Sequence, residues 1–137
     1  MQPAILIHGV DDARAALRAA QETGRPVTVI SAPGAAAYGG PAWFDNVVRH
    51  ARAECPHARV TAILDCDDAA GYTLGALRYG IKHVRFDGRA DVTAKLREIA
   101  AAQGATLITE EFATLDLRGA RDPLATCRTW LAEHAVA

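Results

Sequence analysis

Short apolar runs alternate with longer amphipathic stretches along the whole chain. The runs are Ala4 to Ile7, Val27 to Ile30, Val60 to Leu64, Ile81 to Phe86 and Ala105 to Ile108. Runs this short, rich in Ile, Val and Leu, suit strands of a parallel sheet, which have no wet face to demand alternation. Between them the period changes to that of a helix. Phe44, Val47, Val48 and Ala51 recur at i, i+3, i+4 and i+7, one stripe of an amphipathic helix. Leu74 and Leu77 share a face in the next stretch, and Val92, Leu96 and Ile99 in the one after. The first helix is expected from about Asp12 to Gln21, and a last one opens at Asp122-Pro123, an N-cap followed by a first-turn proline. Leu124, Cys127 and Leu131 fall on its inward side.

Gly24, Gly80 and Gly104 each stand just before a strand run, where a helix has to stop and turn. The repeated order strand, helix, Gly, strand predicts about five βα units and one parallel sheet. The expected architecture is a single α/β domain over residues 1–137, an open doubly wound sheet of flavodoxin-like type. The alternative is a half (βα) barrel that dimerisation completes. An irregular stretch, Glu110 to Arg121, has room for one more short strand at Ala113 to Leu117.

Composition narrows the function classes. Half the residues are hydrophobic, the formal net charge is −1 and the pI is about 6.5. A near-neutral chain has no general attraction to phosphate backbones, so nucleic acid is not an expected partner. No apolar stretch approaches a bilayer's length, so no membrane partner is expected either. Cys55, Cys66 and Cys127 are scattered and odd in number, which points to reduced thiols and a cytoplasmic protein.

In parallel α/β sheets ligands bind beyond the carboxyl ends of the strands. Here that edge carries His8, Gly9, Asp11 and Asp12; Ser31 with Gly34, Gly39 and Gly40; Asp65 to Asp68; Asp87-Gly88; and Thr109, Glu110 and Glu111. Asp65, Asp87 and His8 are the candidate catalytic groups. Asp65 and Asp68 offer hard oxygen ligands to a divalent cation such as Mg²⁺. The loop Ser31 to Pro41 is long, and its glycines let backbone approach an anion. It is neither a Walker loop nor a dinucleotide fingerprint, because Gly-Lys-Ser/Thr and G-x-G-x-x-G are both missing. Each feature has a plainer explanation: strand ends and helix caps are polar anyway, and a lone His8 or Cys66 is more often structural.

Two family patterns bear on these residues. Asp11, Asp12 and Asp65 mimic the acidic cluster of receiver domains, but Asp87 and Thr109 stand where those domains place Ser/Thr and Lys. Residues 63–88 resemble a βαβ unit of class II, metal-dependent aldolases, in Leu64-Asp65, Tyr79-Gly80-Ile81 and Val84 through Asp87-Gly88. The resemblance implies a catalytic Asp65 followed by a metal-binding His. Cys66 occupies that second place, so the implied metal site lacks a ligand. The match covers about a fifth of the chain, and a whole barrel needs nearly twice its length. The resulting expectation is a protein that binds a small anionic molecule at the strand carboxyl ends, with a divalent metal as the cofactor in one version. The competing expectation is a homo-oligomeric interaction or regulatory domain, using the glycine-rich loop and Trp43 or Trp130.

Overall fold

The computed structural model describes residues 1–134. Six strands, all parallel, form one open sheet: β1 (Gln2–Ile7), β2 (Val27–Ser31), β3 (Val60–Asp65), β4 (His83–Arg85), β5 (Thr106–Ile108) and β6 (Phe112–Asp116). Six helices accompany them: α1 (Val10–Thr23), α2 (Ala35–Tyr38), α3 (Gly40–Glu54), α4 (Ala70–Tyr79), α5 (Ala90–Ala102) and α6 (Pro123–Glu133). The open parallel α/β sheet expected from the sequence is present, and it does not close into a barrel. The short strand expected near residue 113 is β6, and Asp122 caps α6 by accepting from the Ala125 N–H at 3.0 Å. The expected Ser31 to Pro41 loop is largely helical, holding α2 and the start of α3.

The strand order is β5-β4-β3-β2-β1-β6, which refines the flavodoxin-like expectation. From β1 to β5 the sheet advances in one direction. Right-handed crossovers then carry every connecting helix to the same face, and α6, α1, α3, α4 and α5 contact one another in a continuous row. The two faces of the sheet accordingly build separate cores. Ile5, Ile7, Val29, Leu64 and Val84 join the helices in the main core, with Leu17, Phe44 and Leu96. Ala4, Ile30 and Ile63 form a second cluster, packed by Leu6, Ile108 and Phe112 and containing no helix residue.

That second cluster exists because of how β5 reaches β6. The two strands lie at opposite edges of the sheet, yet only residues 109–111 separate them. Across a flat sheet of six strands the gap would be about 24 Å, at about 4.8 Å per strand. The step from Ile108 to Phe112 reaches at most about 14 Å. The sheet must therefore curl until its edges approach. The link crosses the concave side, and Phe112 packs onto the second cluster.

One expected core residue lies elsewhere. α5 turns Thr93, Leu96 and Ala100 inward, which leaves Ile99 37% exposed. Leu96→Ala should lower stability by about 2–5 kcal/mol, as for other buried truncations. Ile99→Ala should cost under about 1 kcal/mol. Urea midpoints of the two variants check the assignment, and equal shifts would contradict it.

Candidate functional site

The concave side of the sheet holds a cleft of about 330 Å³ at its carboxyl end. Leu6, Ile30, Pro33 and Phe112 give it an apolar lining, along with Met1. Ser31, Asp65, Arg85, Glu111 and Thr114 supply its polar groups. Register explains why charge appears there. Asp65 of β3 pairs with Arg85 of β4, and Arg85 with Ile108 of β5. Leu64, Val84 and Leu107, one residue earlier, join the helix-side core, so period-two alternation turns the next row to the concave face.

Asp65 is buried and fully engaged. Its Oδ1 accepts the backbone N–H of Gly34 at 2.9 Å and of Asp67 at 2.8 Å. Its Oδ2 accepts Arg85 Nη1 at 3.3 Å, an ion pair with side chains only 6% and 13% exposed. Its own N–H donates to Ser31 Oγ at 2.8 Å. Two backbones bend to serve this carboxylate. Gly34 has φ +70°, a conformation that favours glycine, and Asp67 adopts φ +51°, which Asp tolerates better than most residues. The Asp67 carbonyl in turn accepts the Asp87 N–H at 2.8 Å.

Arg85 faces the other way as well. Its Nε donates to the Glu110 carbonyl at 2.8 Å, pinning the link between β5 and β6. Its Nη2 makes no hydrogen bond with any described residue. A guanidinium held at two corners on the lining of a cleft keeps a fixed orientation while still having N–H groups to donate.

The remaining expected residues are dispersed. Asp67 and Asp68 are exposed, and neither caps α4, whose N-cap is Ala69 with no side-chain bond. Asp87 is exposed at the end of β4. Next to it, Gly88 is required by space, since a Cβ there would lie 2.4 Å from the Phe86 ring. Gly39 and Gly40 mark the junction of α2 and α3, away from the cleft lining. His8 is half-buried beside β6, its Nε2 3.1 Å from Asp116 Oδ1. The Arg118 backbone N–H, followed by His8, holds the Asp116 carboxyl below its ordinary value. Among the described residues no three His, Cys, Asp or Glu side chains gather into a group that could hold a metal ion. The Asp65 lone pairs point at N–H donors instead. Burial pushes the Cys66 thiol up to about 11, so it stays protonated at neutral pH and is a poor nucleophile. A further cleft of about 370 Å³ lies at the amino ends of the strands, around Arg25, Arg59 and Trp130, beside His134, the last described residue.

Arg85, Phe112 and Asp116 were not singled out from the sequence. A signal existed for the first: one arginine inside the apolar run Ile81 to Phe86, where a charge needs a reason. Phe112 and Asp116 carried none, because their roles depend on which strand β6 joins.

Comparison with known proteins agrees with the architecture. No protein-family model matches the chain, and no curated protein matches it. A solved structure from Coccidioides immitis, described as a "putative fructose-1,6-biphosphate aldolase", is similar at a TM-score of 0.59 and 22% identity. The similarity covers 77% of this chain and 39% of that one. The chain thus shares an aldolase-like βα fold while spanning well under half of that protein's length.

Asp65→Ala would strip three donors of their acceptor and leave Arg85 buried without its counter-charge. The expected loss is about 3–5 kcal/mol, typical of breaking a buried pair from one side. Urea unfolding of the variant measures it, and a loss below about 1 kcal/mol would mean the pair is not structural.

Proposed function

We propose that this protein binds a small organic anion, a carboxylate, in the cleft on the concave side of its sheet. The observation that carries the reading is Arg85: a side chain 13% exposed, fixed by Asp65 and the Glu110 carbonyl, lining the cleft and with no hydrogen bond from Nη2 to any described residue. Water excluded from such a site strengthens a charge-assisted bond. The apolar lining from Leu6, Ile30 and Phe112 suits a ligand with a hydrocarbon body. Asp65 acts here as the positioning residue for Arg85. In a metal-assisted version Asp65 would exchange its N–H donors for a cation shared with Asp68, and binding would then depend on Mg²⁺ or Mn²⁺.

A second reading, an interaction domain, has one observation in its favour. Tyr38, Tyr72 and Tyr79 are exposed on α2 and α4, two helices in contact. The tryptophans expected in that role are half-buried against the main core. In this reading the mass in sedimentation would rise with protein concentration, and Tyr72→Glu would abolish the rise.

Thermal unfolding and calorimetry with short-chain carboxylates, inorganic phosphate and chelator test the first reading. Isocaproate should raise the Tm of the wild type by mass action. Arg85→Lys should weaken binding by about tenfold or more, because a lysine keeps the charge but loses the fork. Chelator should change nothing unless the metal-assisted version holds. No shift with any anion at roughly 10 mM, about ten-thousandfold above an ordinary micromolar Kd, would remove the reading.

A further inference from the structure

Arg85 is not the only charge on the cleft. Glu111 lines it too, and its carboxylate makes no hydrogen bond or ion pair with the described residues. Its place is tied to the guanidinium. The Glu110 carbonyl sits 2.8 Å from Arg85 Nε, and Glu111 follows one Cα step later, about 3.8 Å along the chain. The cleft lining therefore includes a cation and an anion with no partner among the described residues, together with the apolar Leu6, Ile30 and Phe112. Asp65 cannot serve as the second anion, since both its oxygens are already taken.

Resting on the carboxylate reading above, we infer that the ligand is a zwitterion, an α-amino acid with an apolar side chain. Its carboxylate meets the free donors of Arg85, and its ammonium meets Glu111. Its hydrocarbon side chain covers Leu6 and Phe112. A plain carboxylate would leave Glu111 beside a second negative charge, and that repulsion would weaken its attraction to Arg85. A plain amine would meet Arg85 in the same unfavourable way. A molecule carrying both charges on groups flanking one carbon satisfies both residues, and charge-assisted bonds of this kind discriminate strongly.

Calorimetric titration of the full chain with leucine, isocaproate and isoamylamine tests this. The two analogues are leucine without its ammonium and leucine without its carboxylate. Leucine should bind at least about tenfold tighter than either, as expected for one additional charge-assisted hydrogen bond. Glu111→Gln, on an exposed side chain that folding does not need, should erase the preference of leucine over isocaproate. It should leave Arg85-dependent isocaproate binding intact or improved. Equal affinity for leucine and isocaproate in the wild type, with Arg85→Lys weakening both, would overturn the zwitterion and keep the carboxylate site. A leucine preference that survives Glu111→Gln would overturn it as well. No binding of any of the three would overturn both readings.

Discussion

Three residues between the two outermost strands govern the shape of this molecule. Residues 109–111 have to carry the chain from one edge of a six-stranded sheet to the other, and a chain that short cannot cross a flat one. Curvature follows from connectivity alone. So does the second hydrophobic cluster, because a link drawn across the concave side brings Phe112 down onto Ala4, Ile30 and Ile63. A face left without helices is thereby kept dry by the chain's own connection. What stays open is the cleft beside it, where the link and the strand ends diverge.

Asp65 holds the parts of that cleft in register. Through it the turn into α2, the turn into α4 and the guanidinium on β4 share one carboxylate, while its backbone N–H ties in Ser31 at the end of β2. Arg85 extends the chain of contacts to the link itself. A buried network joined at this many points is rigid, and rigidity would let the remaining donors of Arg85 meet a ligand without first being ordered. The resemblance of residues 63–88 to an aldolase unit drew attention to Asp65. In this chain its surroundings differ: its neighbours in space are amide N–H groups and an arginine.

Most of the strand and helix plan could be read from the sequence because local periodicity specifies it. The apolar runs became strands and the Phe44, Val47, Val48 stripe became the buried side of α3. The winding was harder, since it depends on the order in which strands pair, and nothing local in Phe112 to Asp116 says that β6 lies beside β1. The site was half legible for the same reason. Asp65 and Ser31 stood out as polar residues ending buried strands. Arg85 was absorbed into an apolar run, and Glu111 was one of several polar residues at an edge until the fold set it on a wall of the cleft. The Ser31 to Pro41 loop misled because its alanines and glycines hid the single helical turn of α2.

The pairing of β6 with β1 sets the order of events when the chain folds. β1 leaves the ribosome well before β6, and its outer edge waits for β6 before its backbone groups on that side are bonded. Closing so long a loop is entropically slow. Until it closes, the unpaired N–H and C=O groups along that edge of β1 remain available to any other extended chain nearby. The fold thus carries its aggregation hazard on β1, and a truncation that removed β6 would make that hazard permanent.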